Sequence, residues 1–225
     1  MPQSADLTVA VQDYAKAIYT LEARDGSAST SGLAALLEVR PGSVSGMLRK
    51  LSSLGLVEHE RYRGVRLTER GRRVALEVIR HHRLLELFLV ENLGMTWDEV
   101  HAEAEVLEHA LSEELEELIA AKLGNPTVDP HGDPIPSREL QLAESPAPAL
   151  AELEPGATAT FVQISDSDPA MLRFLGERGI VPGTELELVE RQPFDGPLFV
   201  RVGGETHALG AVLARAMRVR RKEVG

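Results

Sequence analysis

Residues 43–68 read SVSGMLRKLSSLGLVEHERYRGVRLT, and this stretch decides the fold of the first third of the chain. In its first half, apolar residues recur every three or four positions, which places them on one face of a helix. Gly55 is of the residue type that commonly ends a helix. Its second half predicts two short strands on either side of an arginine-rich tip that contains Gly64. A helix followed by a basic hairpin is typical of a winged helix-turn-helix.

Two further helices are expected upstream of this stretch. Residues 8–21 (TVAVQDYAKAIYTL) place apolar side chains along one helix face. Residues 29–39 (STSGLAALLEV) predict a second, short helix, for which Ser29, Thr30 and Ser31 are the candidate N-caps. The sequence RPGS that follows is expected to break the chain before the third helix begins.

The predicted winged helix-turn-helix, residues 1–73, carries polar and basic side chains suited to DNA. Small polar residues at the start of a recognition helix let its backbone approach the major groove, and arginines reach guanine edges or phosphates. Arginines on the hairpin suit a wing that follows the phosphate backbone. A winged helix used only for protein contacts is the alternative. The candidate DNA-binding residues are Arg40, Ser43, Ser45, Arg49, Lys50, Arg61 and Arg63.

The formal charge of -11 is unevenly distributed along the chain. Residues 1–73 carry a net +3, whereas residues 74–123 carry a net -9. A weakly basic DNA-binding domain favours a homodimer that reads the two half-sites of a palindromic operator.

The absence of cysteine excludes disulfides and thiolate ligands and favours the cytoplasm. We expect no membrane span, because the chain lacks an apolar run of about 18 residues. We expect no secretion signal, because the first residues do not place basic side chains before a long apolar stretch.

The rest of the chain predicts helices followed by short strands. Helical periodicity continues over residues 68–90, and a T-x-x-E capping box at Thr96 and Glu99 is expected to open a helix that ends only at Gly124. A proline-rich linker is expected over residues 124–150. In residues 151–225, apolar and polar residues alternate as they do in the strands of a small β-barrel-like domain, and one short helix lies among these strands. The expected fold class is therefore mainly α with a smaller β part.

The stretch VHAEAEVLEH, residues 100–109, combines acidic and imidazole side chains with a buried stripe. At about 100° per residue, four polar side chains fall within an arc of about 100° beside the aliphatic stripe, while Glu103 points elsewhere. Uncompensated carboxylates in that position would be costly, and a divalent cation would offset the cost. An ordinary solvated acidic face is the alternative. The four converging residues are His101, Glu105, Glu108 and His109.

Other helices offer further donors. His82 and Glu86 lie one helical turn apart and could share a cation, although a surface ion pair is the alternative interpretation. Asp13 is the acidic residue closest to the apolar stripe of the first helix. The residues alone therefore leave a metal site and a set of ion pairs both open.

Five motifs follow one another along the chain: QDYAKAIYTLE, LTERGRRVA, IRHHRLLELFL, VHAEAEVLEHALSEE and DPHGDPIP. In this order they resemble the diphtheria toxin repressor family of metal-dependent regulators. The resemblance covers almost the whole chain and implies a winged helix-turn-helix, a helical metal-binding and dimerisation domain over residues 74–123, and a C-terminal SH3-like domain over residues 151–225. That last domain is similar to the small domain of ferrous-iron transport accessory proteins.

The resemblance implies two metal ions per subunit. The ligands implied for the primary site are Asp13, Glu105, Glu108 and His109, and those for the second site are His82, Glu86, His101 and Asp168. Iron-responsive members carry sulfur donors where this chain has Asp13 and Glu105, so carboxylate oxygen favours Mn2+, with Fe2+ as the alternative. Small manganese regulators carry a glutamate where this chain has Lys16, so we do not expect their two-metal cluster here.

The expected function is that of a metal-dependent transcriptional regulator, not an enzyme. It would repress manganese or iron uptake genes when metal is plentiful, as a cytoplasmic homodimer with no organic substrate. The ion is expected to replace repulsion among Asp13, Glu105 and Glu108 and to tie the first helix to the dimerisation helices. The alternatives from other classes are a metallo-hydrolase and a winged-helix sensor of organic ligands.

Overall fold

The computed structural model describes residues 7–60, 64–143, 147–165 and 168–222. Its Cα positions divide the chain into two compact units. The first unit contains the described residues of Met1–Leu84, Glu105–Lys122 and Pro136–Leu142. The second unit contains the described residues of Leu85–Ala104, Leu123–Ile135 and Ala143–Gly225.

The first unit begins with a winged helix-turn-helix, as predicted. Its elements are α1 (Val9–Asp25), α2 (Thr30–Leu36), α3 (Pro41–Ser53), β1 (Val57–Glu60) and β2 (Gly64–Leu67). The two strands pair antiparallel, with Val57 opposite Leu67. The apolar faces of the helices meet in one core that includes the fully buried Ile18, Leu33 and Leu51.

The helix starts are set by local capping. Ser29 is the N-cap of α2, because its Oγ accepts a hydrogen bond from the Gly32 amide at 3.0 Å. The expectation that RPGS breaks the chain before the third helix is wrong, since Pro41 occupies the first turn of α3. Proline fits there because its φ is already helical and the first-turn amides need no helical partner.

Three helices follow the wing, α4 (Glu69–Leu93), α5 (Val100–Leu107) and α6 (Glu113–Lys122). The single helix expected between Thr96 and Gly124 is therefore two helices. The chain turns after α5, and Ser112 starts α6: its carbonyl accepts from the Glu116 amide at 2.9 Å, and its Oγ from the Leu115 amide at 3.3 Å. As a consequence, Glu108 lies in the turn between the two helices.

The second unit ends in a five-stranded antiparallel sheet, which confirms the predicted small β domain. Its strands are β3 (Thr158–Gln163), β4 (Glu185–Arg191), β5 (Leu198–Val202), β6 (Glu205–Leu209) and β7 (Arg218–Arg221), and their order in the sheet is β6-β5-β4-β3-β7. A buried core that includes Phe161, Leu188 and Val200 fills its inner face. The same part of the chain also forms a short 3-10 helix (Leu150–Glu152) and the helices α7 (Pro169–Gly176) and α8 (Ala211–Ala216).

Part of the proline-rich stretch is packed into the second unit rather than extended as a spacer. Asp129 Oδ1 accepts hydrogen bonds from the amides of His131, at 2.8 Å, and Asp133, at 2.9 Å, and so closes a turn. Gly132 has a φ of +86°, and a Cβ there would lie 1.8 Å from the Val162 carbonyl oxygen. The turn therefore requires glycine. Among the described residues, no helix is both long and apolar enough to cross a membrane.

Candidate metal centre

Asp13, Glu108 and His109 form one convergent group, which we call the primary cluster. Asp13 lies on α1, and the other two follow α5 directly. His109 Nε2 lies 2.9 Å from Asp13 Oδ1 and 3.4 Å from Glu108 Oε1. One donor atom of each residue lies within 4.8 Å of the other two, which is compact enough for a single ion.

Gln12 orients the imidazole of the primary cluster. Its Oε1 lies 2.5 Å from His109 Nδ1, and its side chain is buried. An amide oxygen only accepts, so Nδ1 donates to Gln12, and Nε2 is the ring atom that faces Asp13 and Glu108 and would bind an ion. The sequence analysis missed Gln12, although its position one residue before Asp13 on a helix with a buried face was an available signal.

The carboxylates of the primary cluster have opposite pKa shifts. Burial raises the pKa of Asp13, with His109 acting in the lowering direction. Burial would also raise the pKa of Glu108, but the hydrogen bond to His82 and the nearby Lys16 outweigh it and hold the pKa below its ordinary value. Glu108 is thus held as the charged form, the form a cation needs.

Glu105 lies beside Lys16 rather than in the primary cluster. The Lys16 ammonium donates to Glu105 Oε1 at 2.7 Å and to Glu108 Oε2 at 2.8 Å. His82 Nδ1 lies 2.5 Å from Glu108 Oε2, so His82 is engaged with the same carboxylate. The expected repulsion among the carboxylates is therefore already offset by a lysine on α1, whose role the sequence analysis missed.

Of the expected second-site residues, the structure brings Glu86 and His101 together. His101 Nδ1 lies 3.4 Å from Glu86 Oε1, and the Glu86 side chain is fully buried. Asp168 instead caps α7, since its Oδ1 accepts from the amides of Ala170, at 3.0 Å, and Met171, at 3.2 Å. Within the described ranges, Asp168 belongs to no group of three or more converging His, Asp or Glu side chains.

A further convergent group consists of Glu86, Asp129 and His131, all buried in the second unit. His131 Nδ1 lies 3.6 Å from Glu86 Oε2, and its Nε2 lies 2.6 Å from the Trp97 carbonyl oxygen. Burial would lower the pKa of His131, but the facing Glu86 carboxylate outweighs it and raises the pKa to about 9. His131 is therefore protonated at neutral pH, and a cation bound by this group would have to displace that proton. The sequence analysis missed it because Asp129 and His131 lie in the proline-rich stretch.

A buried charged network supports the turn that carries Glu108. His81 Nδ1 lies 3.0 Å from the Glu108 carbonyl oxygen, and its Nε2 lies 3.0 Å from Glu116 Oε2. Arg80 donates to Glu116 Oε1 at 2.5 Å and to the Pro136 carbonyl at 2.7 Å. The network fixes the end of α5 against α4 and α6, and with it the position of one cluster carboxylate.

The face of α3 expected to meet DNA is exposed. Val44, Leu48 and Leu51 point into the core on the other side of the helix. Arg61 and Arg63 lie outside the described residues. The exposed candidates on and just before α3 are Arg40, Ser43, Ser45, Arg49 and Lys50.

Comparison with known proteins matches three family models in this order. They are the iron dependent repressor N-terminal DNA binding domain over residues 6–65, the iron dependent repressor metal binding and dimerisation domain over residues 68–137, and the FeoA domain over residues 149–221. The iron-dependent repressor IdeR of Mycobacterium tuberculosis is 33% identical over 227 residues, which cover 95% of this chain and 98% of IdeR. The chain belongs to the iron-dependent repressor family.

Solved structures of this repressor family agree with the fold. A manganese-dependent transcriptional repressor in complex with manganese is 45% identical, with a TM-score of 0.84 over 94% of this chain and all of the other. The manganese regulator SloR is 31% identical, with a TM-score of 0.75 over 94% of this chain and 98% of its own. The predicted family, fold and function are confirmed: the protein is a metal-dependent DNA-binding repressor with a dimerisation domain, and not an enzyme.

Proposed function

We propose that this repressor responds to Mn2+ and silences manganese uptake genes when the ion is plentiful. The observation that carries the proposal is the primary cluster, in which His109 Nε2 lies 2.9 Å from Asp13 Oδ1 and 3.4 Å from Glu108 Oε1. Two carboxylate oxygens and one imidazole, with no sulfur, form a hard donor set that suits Mn2+. The 45% identity to a manganese-dependent repressor supports the same ion. Fe2+ is the second candidate, because IdeR, at 33% identity, is named iron-dependent.

The cluster residues would hold the ion and connect it to the DNA-binding helices. Asp13 lies on α1, whose opposite face packs Val11, Ile18 and Leu21 into the winged-helix core. A bound divalent cation supplies the positive charge that keeps the Asp13 and Glu108 carboxylates close together. The ion would thus favour one position of α1, and α3 would move with α1. The size of this effect is set by how much more tightly the ion binds that position than others.

A second ion per subunit is part of the proposal. The 3.4 Å contact between His101 Nδ1 and Glu86 Oε1 supports a second ion, and Glu86 Oε2 also faces His131. Nothing in the contacts of Asp168 supports a ligand role, since its carboxylate caps a helix. Glu105 remains a proposed ligand through its position beside Glu108, although its nearest cation is the Lys16 ammonium.

The proposed DNA target is a palindromic operator read by a cytoplasmic homodimer. In such a dimer each α3 would enter one major groove, with Ser43 and Ser45 near the bases and Arg49 and Lys50 within reach of bases or phosphates. All four side chains are exposed in the described structure. No organic effector is required.

Operator binding with Mn2+, with Fe2+ and with a chelator tests the proposal. Wild type should bind tightly only with metal, and Asp13→Ala and Glu108→Ala should lose the metal response. Glu103→Ala is the matched control, because Glu103 is an exposed carboxylate on the same α5. Binding that ignores both the chelator and the cluster variants would overturn the proposal, and a preference for Fe2+ over Mn2+ would move it to the second candidate.

A further inference from the structure

Lys16 reaches into the metal centre from α1. Its Nζ lies 2.7 Å from Glu105 Oε1, 2.8 Å and 3.1 Å from the two oxygens of Glu108, and 3.2 Å from His82 Nδ1. Its side chain is only 20% exposed. Two carboxylates face the Lys16 amine within 3 Å, which is the arrangement expected of a charged ammonium.

The side chains that surround Lys16 form a second group of potential cation ligands. Donor atoms of His82, Glu105 and Glu108 lie within 4.8 Å of one another, as do those of the primary cluster. The two groups share Glu108, whose Oε1 faces His109 and whose Oε2 faces Lys16. A second cation position therefore adjoins the first, and the Lys16 ammonium lies in it.

We propose that the Lys16 ammonium is a tethered cation that fills this second position, so that this part of the centre takes one divalent ion and one lysine. The inference rests on the proposed binding of a divalent ion at Asp13, Glu108 and His109. Formal charges support it, because the carboxylates of Asp13, Glu105 and Glu108 are balanced by one divalent ion and one ammonium. A neutral residue in place of Lys16 would leave a negative excess beside three ready donors, and a second divalent ion would enter.

The stoichiometry of Mn2+ binding to the full-length chain tests the inference. Lys16→Ala should bind one more Mn2+ per chain than wild type, and its electron paramagnetic resonance spectrum should show two exchange-coupled ions. Lys16→Arg keeps a cation and should match wild type in both measurements. An unchanged count with an uncoupled spectrum in a folded Lys16→Ala protein would overturn the inference.

A measurement on wild type covers the case in which Lys16→Ala does not fold. Amine acetylation read by mass spectrometry reports whether Lys16 stays engaged, with the exposed Lys50 and Lys122 as internal references. Lys16 should react slowly both without and with saturating Mn2+. If Mn2+ makes Lys16 as reactive as the references, the ion displaces the lysine and the inference is wrong.

Asp13→Ala separates this inference from the proposed function. If Asp13→Ala binds as many Mn2+ ions as wild type, the primary cluster is not a metal site and the proposed function fails along with the inference. If Asp13→Ala loses one ion while Lys16→Ala gains none, the proposed function stands and only the role of Lys16 is refuted.

Discussion

Removing Glu116 should destabilise the first unit far more than removing its neighbour Glu117. Glu116 accepts from Arg80 at 2.5 Å and lies 3.0 Å from His81, and both partner side chains are at most 10% exposed. Glu116→Ala would leave two buried cationic groups without their carboxylate, a change that costs about 3–5 kcal/mol. Glu117 pairs with Arg138 at the surface, where both side chains are more than half exposed, so Glu117→Ala should cost less than about 1 kcal/mol.

The pH dependence of this difference follows from the two pKa shifts. Burial would raise the pKa of Glu116, but hydrogen bonds from His81 and Arg80 hold it below its ordinary value, so its contribution is lost as the pH falls through that lowered pKa. Burial would lower the pKa of His81, but the hydrogen bond to Glu116 raises it, so its contribution is lost as the pH rises through that raised pKa. The difference in unfolding free energy between Glu116→Ala and Glu117→Ala should be largest between pH 4.5 and pH 6.5, which are the ordinary pKa values of glutamate and histidine.

Urea unfolding followed by far-ultraviolet circular dichroism, with a chelator present, measures both variants under one condition. Glu116→Gln keeps an acceptor of the same shape and should fall between wild type and Glu116→Ala. If Glu116→Ala and Glu117→Ala unfold at the same urea concentration near pH 6, the buried network does not stabilise the turn that carries Glu108, and the reasoning is refuted.

Three further predictions concern single side chains. Gln12→Ala should weaken Mn2+ binding about 10-fold or more in a metal titration, because Gln12 fixes the ring of His109; unchanged affinity would remove this role. Asp168→Ala should cost about 1 kcal/mol in thermal unfolding, as loss of an N-cap does, with no change in Mn2+ stoichiometry; loss of an ion would make it a ligand. His131→Ala should shift the fluorescence of Trp97, the one tryptophan, because the rings stack with centroids 5.8 Å apart; an unshifted spectrum would contradict that packing.

The winged helix-turn-helix was predictable because its signals are local. The apolar spacing of α1 and α3, the Ser29 cap and the basic hairpin each lie within one element, and all of them agree. The α5–α6 break was harder to predict, since a capping serine within an acidic run competes with continuous helical periodicity. Ser112 was the available signal.

The candidate site was less predictable because its partners are distant in sequence. A helical projection groups Glu105 with Glu108 and His109, but it cannot show that Lys16, 89 residues earlier, binds Glu105. Likewise, proline content suggests a linker but does not reveal that the DPHGD turn buries His131. The positions on α5 followed from periodicity, whereas the assignment of each carboxylate to a neighbour required the tertiary fold.

The course of α1 through the molecule limits how this chain can change. Along one helix, Ile18 and Leu21 enter the winged-helix core while Asp13 and Lys16 enter the candidate metal centre. Inserting one residue between these pairs would rotate one pair relative to the other by about 100°. Such a change would preserve every ligand and every core residue and still separate the two. In this segment, length is as strictly constrained as composition, and variation is confined to substitution.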